Sequence, residues 1–133
     1  GHGTTRNGRP VRVNRVDDLS SALVATGFGY DPGQRRRQAE ALVSIIGCIG
    51  DIRRCGGAAT DLASVACGRV DAYFERGLNP WDCAAGAVLV TEAGGRVTDL
   101  EGRPTSGGMV VAAPVELHGP LLELLRSAGA EVA

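Results

Sequence analysis

Three short stretches carry residue types that do chemistry together. Asp82 follows Pro80-Trp81 and leads into an apolar-periodic run, where the first N–H groups of a helix have no partner. An aspartate there caps the helix, or it acts as a hard oxygen ligand for Mg²⁺, which takes one or two protein carboxylates and leaves room for phosphate. The two roles are compatible. Gly56-Gly57-Ala58 lies between a strand-like run and a helix-like one. Paired glycines let a ligand approach the backbone, and a helix N-terminus attracts phosphate; a plain tight turn is the simpler alternative. Glu75 ends a strand-like run seven residues before Asp82, placed to accept hydrogen bonds from substrate hydroxyls or to sit at the surface.

Other reactive side chains offer less. Cys83 adjoins Asp82 at a helix start, which can lower a thiol pKa, but a buried inert thiol is the plainer expectation. His2 and His118 are expected at the surface, and the serines lack a nucleophile-elbow context. Arg35-Arg36-Arg37 reads as a solvated helix face.

Strands and helices must position these groups. Asn7-Gly8 predicts a hairpin turn between Thr4-Thr5 and Val11-Arg12-Val13, because both turn positions tolerate positive φ. Ala22 to Thr26 reads as a buried strand. A helix of about fifteen residues follows from Asp31-Pro32, with Ala39, Leu42, Val43 and Ile46 at helical spacing. Ile52 to Cys55 predicts a strand, and Ala58, Ala59, Leu62, Val65 and Ala66 a helical stripe that Gly68 stops. Asp71 to Glu75 predicts a strand, Arg76 to Pro80 a loop, and Cys83 to Ala93 a helix with Ala84, Val88 and Leu89 inward. Arg96 to Leu100 and Met109 to Ala113 predict two more strands around a turn at Glu101-Gly102-Arg103-Pro104. The last helix carries Leu117, Leu121, Leu124 and Leu125, and Pro120 predicts a break or a start near Gly119. This alternation defines an α/β (layered α+β) domain, a sheet flanked by helices.

Composition bounds the function. At 133 residues with 44% hydrophobic and 22% charged, the chain makes one domain with a core of its own. Glycine, at 20 residues, is about twice as frequent as the usual ~7%, so turns and close backbone approaches are many. A net charge of -1 gives no support for binding nucleic acid or a membrane surface, and no apolar run nears the ~18 residues of a membrane span. Cys48, Cys55, Cys67 and Cys83 form no CxxC pair, which favours reduced thiols in a cytoplasmic protein over zinc or disulfides. The start at Gly1, with no apolar leader, reads as a cut piece or a mature end.

Taken together, these segments resemble the inositol monophosphatase family, its bacterial, extragenic-suppressor-like members above all. Trp81-Asp82-Cys83-Ala84-Ala85-Gly86, continuing into Glu92-Ala93-Gly94-Gly95, is similar to the family signature W-D-x-A-A-G with its following E-A-G-G. Arg53-Arg54-Cys55-Gly56-Gly57-Ala58-Ala59 and Gly68-Arg69-Val70-Asp71-Ala72-Tyr73-Phe74-Glu75 match the lead-in to it. The resemblance covers essentially all of residues 1–133 and is to the C-terminal half of the family fold. It implies that Asp82 is a Mg²⁺ ligand that also reaches substrate, that Gly56, Gly57 and Ala58 present backbone to substrate, and that Glu75 binds an inositol hydroxyl. It further implies hydrolysis of a phosphate monoester, inositol 1-phosphate first among them, with Li⁺ inhibition and homodimerisation. Relatives acting on histidinol phosphate, sugar bisphosphates or 3′-phosphoadenosine 5′-phosphate set the alternatives, together with a non-catalytic regulatory or binding protein that keeps the fold.

One departure is large. The family's paired glutamates and D-P-x-D-G-T motif, which hold most of the metal, have no counterpart; Asp31-Pro32-Gly33 lacks the second aspartate and the Gly-Thr. The chain alone is therefore expected to be inactive, to need an N-terminal half as partner, and to expose apolar surface where that half would lie. A smaller departure is Gly57, where relatives often carry a hydroxyl residue.

Overall fold

The computed structural model describes residues 1–130. A hairpin of β1 (Thr4–Arg6) and β2 (Arg9–Val11) precedes β3 (Leu23–Thr26), α1 (Pro32–Ile46), β4 (Asp51–Arg53), α2 (Ala58–Ala66), β5 (Ala72–Leu78), α3 (Pro80–Glu92), β6 (Gly95–Thr98), β7 (Gly108–Pro114) and α4 (Val115–Ser127). The hairpin turns on Asn7 and Gly8 with φ of 51° and 75°, the double positive φ that Asn-Gly supplies at least cost.

The main sheet has the order β4-β3-β5-β7-β6. β3 pairs parallel with β4 and with β5, whereas β7 pairs antiparallel with β5 and β6. Neighbouring residues face opposite sides, so each strand feeds two cores. Val24, Ala72, Val111 and Ala113 pack with Ile45 of α1 and with Leu117, Leu121 and Leu125 of α4. Ala25, Tyr73, Val110 and Ala112 pack with Leu62 and Val65 of α2 and Val90 of α3. A strand covered on both faces reads as a continuous apolar run, which is why Met109 to Ala113 does not alternate.

Several expectations are corrected. On α1 the inward residues are Gln38, Ala41 and Ile45, while Ala39 and Val43 are exposed; the stripe predicted from the sequence is rotated because Gln38 turns inward, its Oε1 accepting from Gly29 N at 2.9 Å. On α3 the buried residues are Cys83, Gly86 and Val90, with Ala84 and Val88 outside, because a glycine marks the tightest contact and carries no hydrophobic signal. The predicted loop Arg76 to Pro80 is mostly strand, since β5 runs to Leu78 through a register shift after Arg76. Pro120 lies inside α4. It forfeits one backbone bond, and the buried row Leu117, His118, Leu121, Leu122 and Leu125 holds the helix together across it.

His118 is buried rather than exposed, its Nε2 lying 3.0 Å from Thr98 Oγ1. Burial, with Arg96 nearby, holds its pKa below the ordinary value and keeps the ring neutral. Tyr30, Val43, Trp81, Val88 and Val115 are exposed large apolar side chains. Among the described residues no helix is long and apolar enough to cross a membrane.

Candidate functional site

β3, β4 and β5 are parallel, so their carboxyl ends lie along one edge of the sheet, the place where open α/β sheets bind ligands. A cleft of about 350 Å³ opens there. It collects Gly27 beyond β3, Arg54, Gly56 and Gly57 between β4 and α2, Ala58 at the start of α2, Glu75 on β5, and Asn79 with Asp82 at the start of α3. All five residues singled out in the sequence, Gly56, Gly57, Ala58, Glu75 and Asp82, line it.

Each is held by local chemistry. Gly56 has φ +98°, and a Cβ on it would lie 2.7 Å from Arg54 Nη1, so glycine is required there by the backbone itself. Gly57 has an extended φ of −152° and stands at the N-cap of α2, where it offers no capping side chain. The N–H groups of residues 58–60 precede the first helical bond, Asp61 N to Gly57 O at 2.9 Å, and this is the donor arrangement that favours an anion.

Asp82 is the third residue of α3, not its cap. The helix opens three residues earlier than the periodicity suggests because Pro80 fits its first position. Asp82 Oδ2 accepts from Asn79 N at 2.8 Å, and Oδ1 takes no bond from a described residue. The aspartate is thus both a helix-start acceptor and a carboxylate with one oxygen left for the cleft. Cys83 is buried, and burial pushes its thiol pKa up, with Asp82 adding to the effect, so the helix start does not activate it.

Glu75 is half-buried and its Oε2 accepts from the Tyr73 hydroxyl at 2.6 Å. Gly27 makes room for it: a Cβ there would fall 2.0 Å from Glu75 Oε2. Burial raises the Glu75 pKa, and the Tyr73 bond pulls it back. Neither Tyr73 nor Gly27 was given a role at the site by the sequence, since one lies inside the predicted strand Asp71 to Glu75 and the other follows the predicted strand Ala22 to Thr26. Asp31, the false match to a metal motif, caps α1 by accepting from Gln34 N at 2.8 Å.

Asp61 is a further surprise. It is buried beneath the α2 start, and neither carboxylate oxygen has a hydrogen-bond partner. Burial holds its pKa above the ordinary 3.8, with Cys55 and then Arg54 pulling the other way. The folded state therefore binds a proton more readily than the unfolded chain. The contribution of Asp61 to stability is greatest at low pH and declines as pH rises from about 3.8 through the higher folded value. Asp61→Asn is expected to remove that decline and to gain about 1 kcal/mol at pH 7, read from urea midpoints at pH 4 and pH 7.

For a metal, the described residues contain no group of three or more His, Cys, Asp or Glu side chains able to hold one. Asp82 suits Mg²⁺ as one hard ligand among several.

A sheet between two helix pairs, with two helix N-termini and the carboxylates of Glu75 and Asp82 around one cleft, defines an α/β domain with a polar cleft at the carboxyl edge of its parallel strands. The chain belongs to the inositol monophosphatase family, whose sequence model matches residues 1–130. It is 48% identical over 129 residues to the inositol-1-monophosphatase of Mycobacterium bovis, covering 94% of this chain and 44% of that protein. It is also 48% identical over 105 residues to the Nus factor SuhB of Xylella fastidiosa, covering 77% of this chain and 38% of that one. The solved inositol monophosphatase from Anabaena superposes with a TM-score of 0.85 at 40% identity, over 96% of this chain and 52% of that structure. The chain thus spans about half the length of these relatives, or less.

Proposed function

We propose that the complete protein hydrolyses a polyol phosphate monoester, inositol 1-phosphate first, with Mg²⁺, and that this chain supplies the substrate-holding half of the site. The convergence of Gly56 to Ala58, Glu75 and Asp82 on one cleft carries the reading, and the name of the M. bovis relative supports the substrate. The free N–H groups at the start of α2 take phosphate oxygens, and Arg54 adds positive charge on the same wall. Glu75 accepts from substrate hydroxyls and orients the polyol. Asp82 offers Oδ1 to Mg²⁺ while its Oδ2 stays fixed by Asn79 N. Mg²⁺ bound there would neutralise charge on the phosphoryl group and its leaving oxygen. The other metal ligands come from an N-terminal half of the protein.

The test is phosphate release from myo-inositol 1-phosphate with Mg²⁺, by this chain alone and with the N-terminal half supplied. Release only in the mixture, suppressed by Li⁺, is the expected outcome. Release by this chain alone would overturn the two-half account of the site. The second reading, a regulatory protein that keeps the fold without turnover, is favoured by the likeness to a relative named as a Nus factor. It gains if the mixture releases no phosphate from inositol, histidinol or nucleotide phosphates.

A further inference from the structure

Glu75 is held in place by a residue that never reaches the cleft. Tyr73 lies two positions earlier on β5, so both side chains leave the same face of the strand. Its ring is 0% exposed, packed among Leu62, Val65, Cys83 and Val90. The partners of Tyr73 in the flanking strands are Ala25 and Ala112, two small side chains that leave space for the ring. Its hydroxyl therefore has one task, the 2.6 Å bond to Glu75 Oε2, within the range of strong O–H···O⁻ bonds. On the other side the carboxylate occupies the space where Gly27 lacks a Cβ.

We infer that Tyr73 is a positioning residue for polyol selectivity: its hydroxyl fixes Glu75 so that Oε1 faces the hydroxyls of the substrate. The inference rests on the proposed role of Glu75 and goes beyond it. Burial, with Glu75 and Asp61 nearby, raises the phenol pKa far above its ordinary value, so Tyr73 remains a donor at every working pH. Arg54, Asp61 and Asp82 are the other charged groups acting on Glu75, and none of them is its hydrogen-bond donor.

The test compares wild type, Tyr73→Phe and Glu75→Gln in the complete protein. The readout is the ratio of kcat/KM for myo-inositol 1-phosphate to that for p-nitrophenyl phosphate, an ester with no hydroxyls to orient. Tyr73→Phe is expected to lower the ratio about tenfold, the worth of one charge-assisted hydrogen bond, mainly through KM for the inositol ester. Glu75→Gln is expected to lower it at least as far. A general loosening of the core would depress both substrates alike and leave the ratio in place. If Glu75→Gln lowers the ratio and Tyr73→Phe does not, the inference fails and the role of Glu75 survives. If Glu75→Gln leaves the ratio unchanged, both fail. Should Tyr73→Phe not fold, 3-fluorotyrosine at position 73 keeps the ring and makes a stronger donor. A shifted ratio then supports the inference, and a wild-type ratio overturns it.

Discussion

Asp82→Asn in the complete protein is expected to lower kcat for inositol 1-phosphate by roughly 10²–10³-fold, the scale of several kcal/mol of lost metal-ion charge stabilisation. A neutral amide is a poor ligand for a hard cation. The fold should hardly notice, because the asparagine carbonyl can still accept the bond that Asp82 Oδ2 now takes from Asn79 N at 2.8 Å. What stability loses is the favourable charge at the N-terminus of α3, worth about 0.3–1 kcal/mol. Turnover and the thermal midpoint, measured on the same preparation, separate the two effects. A near wild-type rate with an intact fold would remove Asp82 from the chemistry and leave it as a helix-start acceptor only.

Gly86→Val is expected to give the largest loss of stability, near the upper end of the 1–3 kcal/mol typical of overpacking. A Cβ at Gly86 would lie 2.5 Å from Leu62 Cβ and 2.6 Å from Leu62 Cδ1. Leu62 is itself 0% exposed, and its Cβ is fixed to the α2 backbone, so a rotamer change cannot relieve the clash. The two helices must separate. Both open onto the cleft, α2 at Gly57 and α3 at Asp82, so activity should fall together with the denaturant midpoint. Gly47→Ala is the matched control, since a Cβ there meets nothing within 4 Å. Equal midpoints for the two variants would show that the helices are not locked at Gly86.

The element order was legible because punctuation and periodicity agree. Asn7-Gly8 turned the hairpin, Asp31-Pro32 opened α1, and the Leu62, Val65 and Ala66 stripe is buried. The faces of α1 and α3 were not legible, because the residues turned inward include Gln38 and Gly86. Their burial depends on one hydrogen bond across elements and on one close helix contact, and hydrophobicity records neither.

By itself the sequence determined which side chains were available: a carboxylate at a helix start, a glycine pair before another helix, and an acid on a strand. Local rules suffice for these, since turns, caps and alternation act over a few residues. The tertiary structure decided that they meet. Three parallel strands carry Gly27, Arg54 and Glu75 to one edge of the sheet. It also decided the burial of Asp61, Tyr73 and His118. Burial and orientation belong to packed layers, whose neighbours lie tens of residues apart in the chain, and no short pattern encodes them.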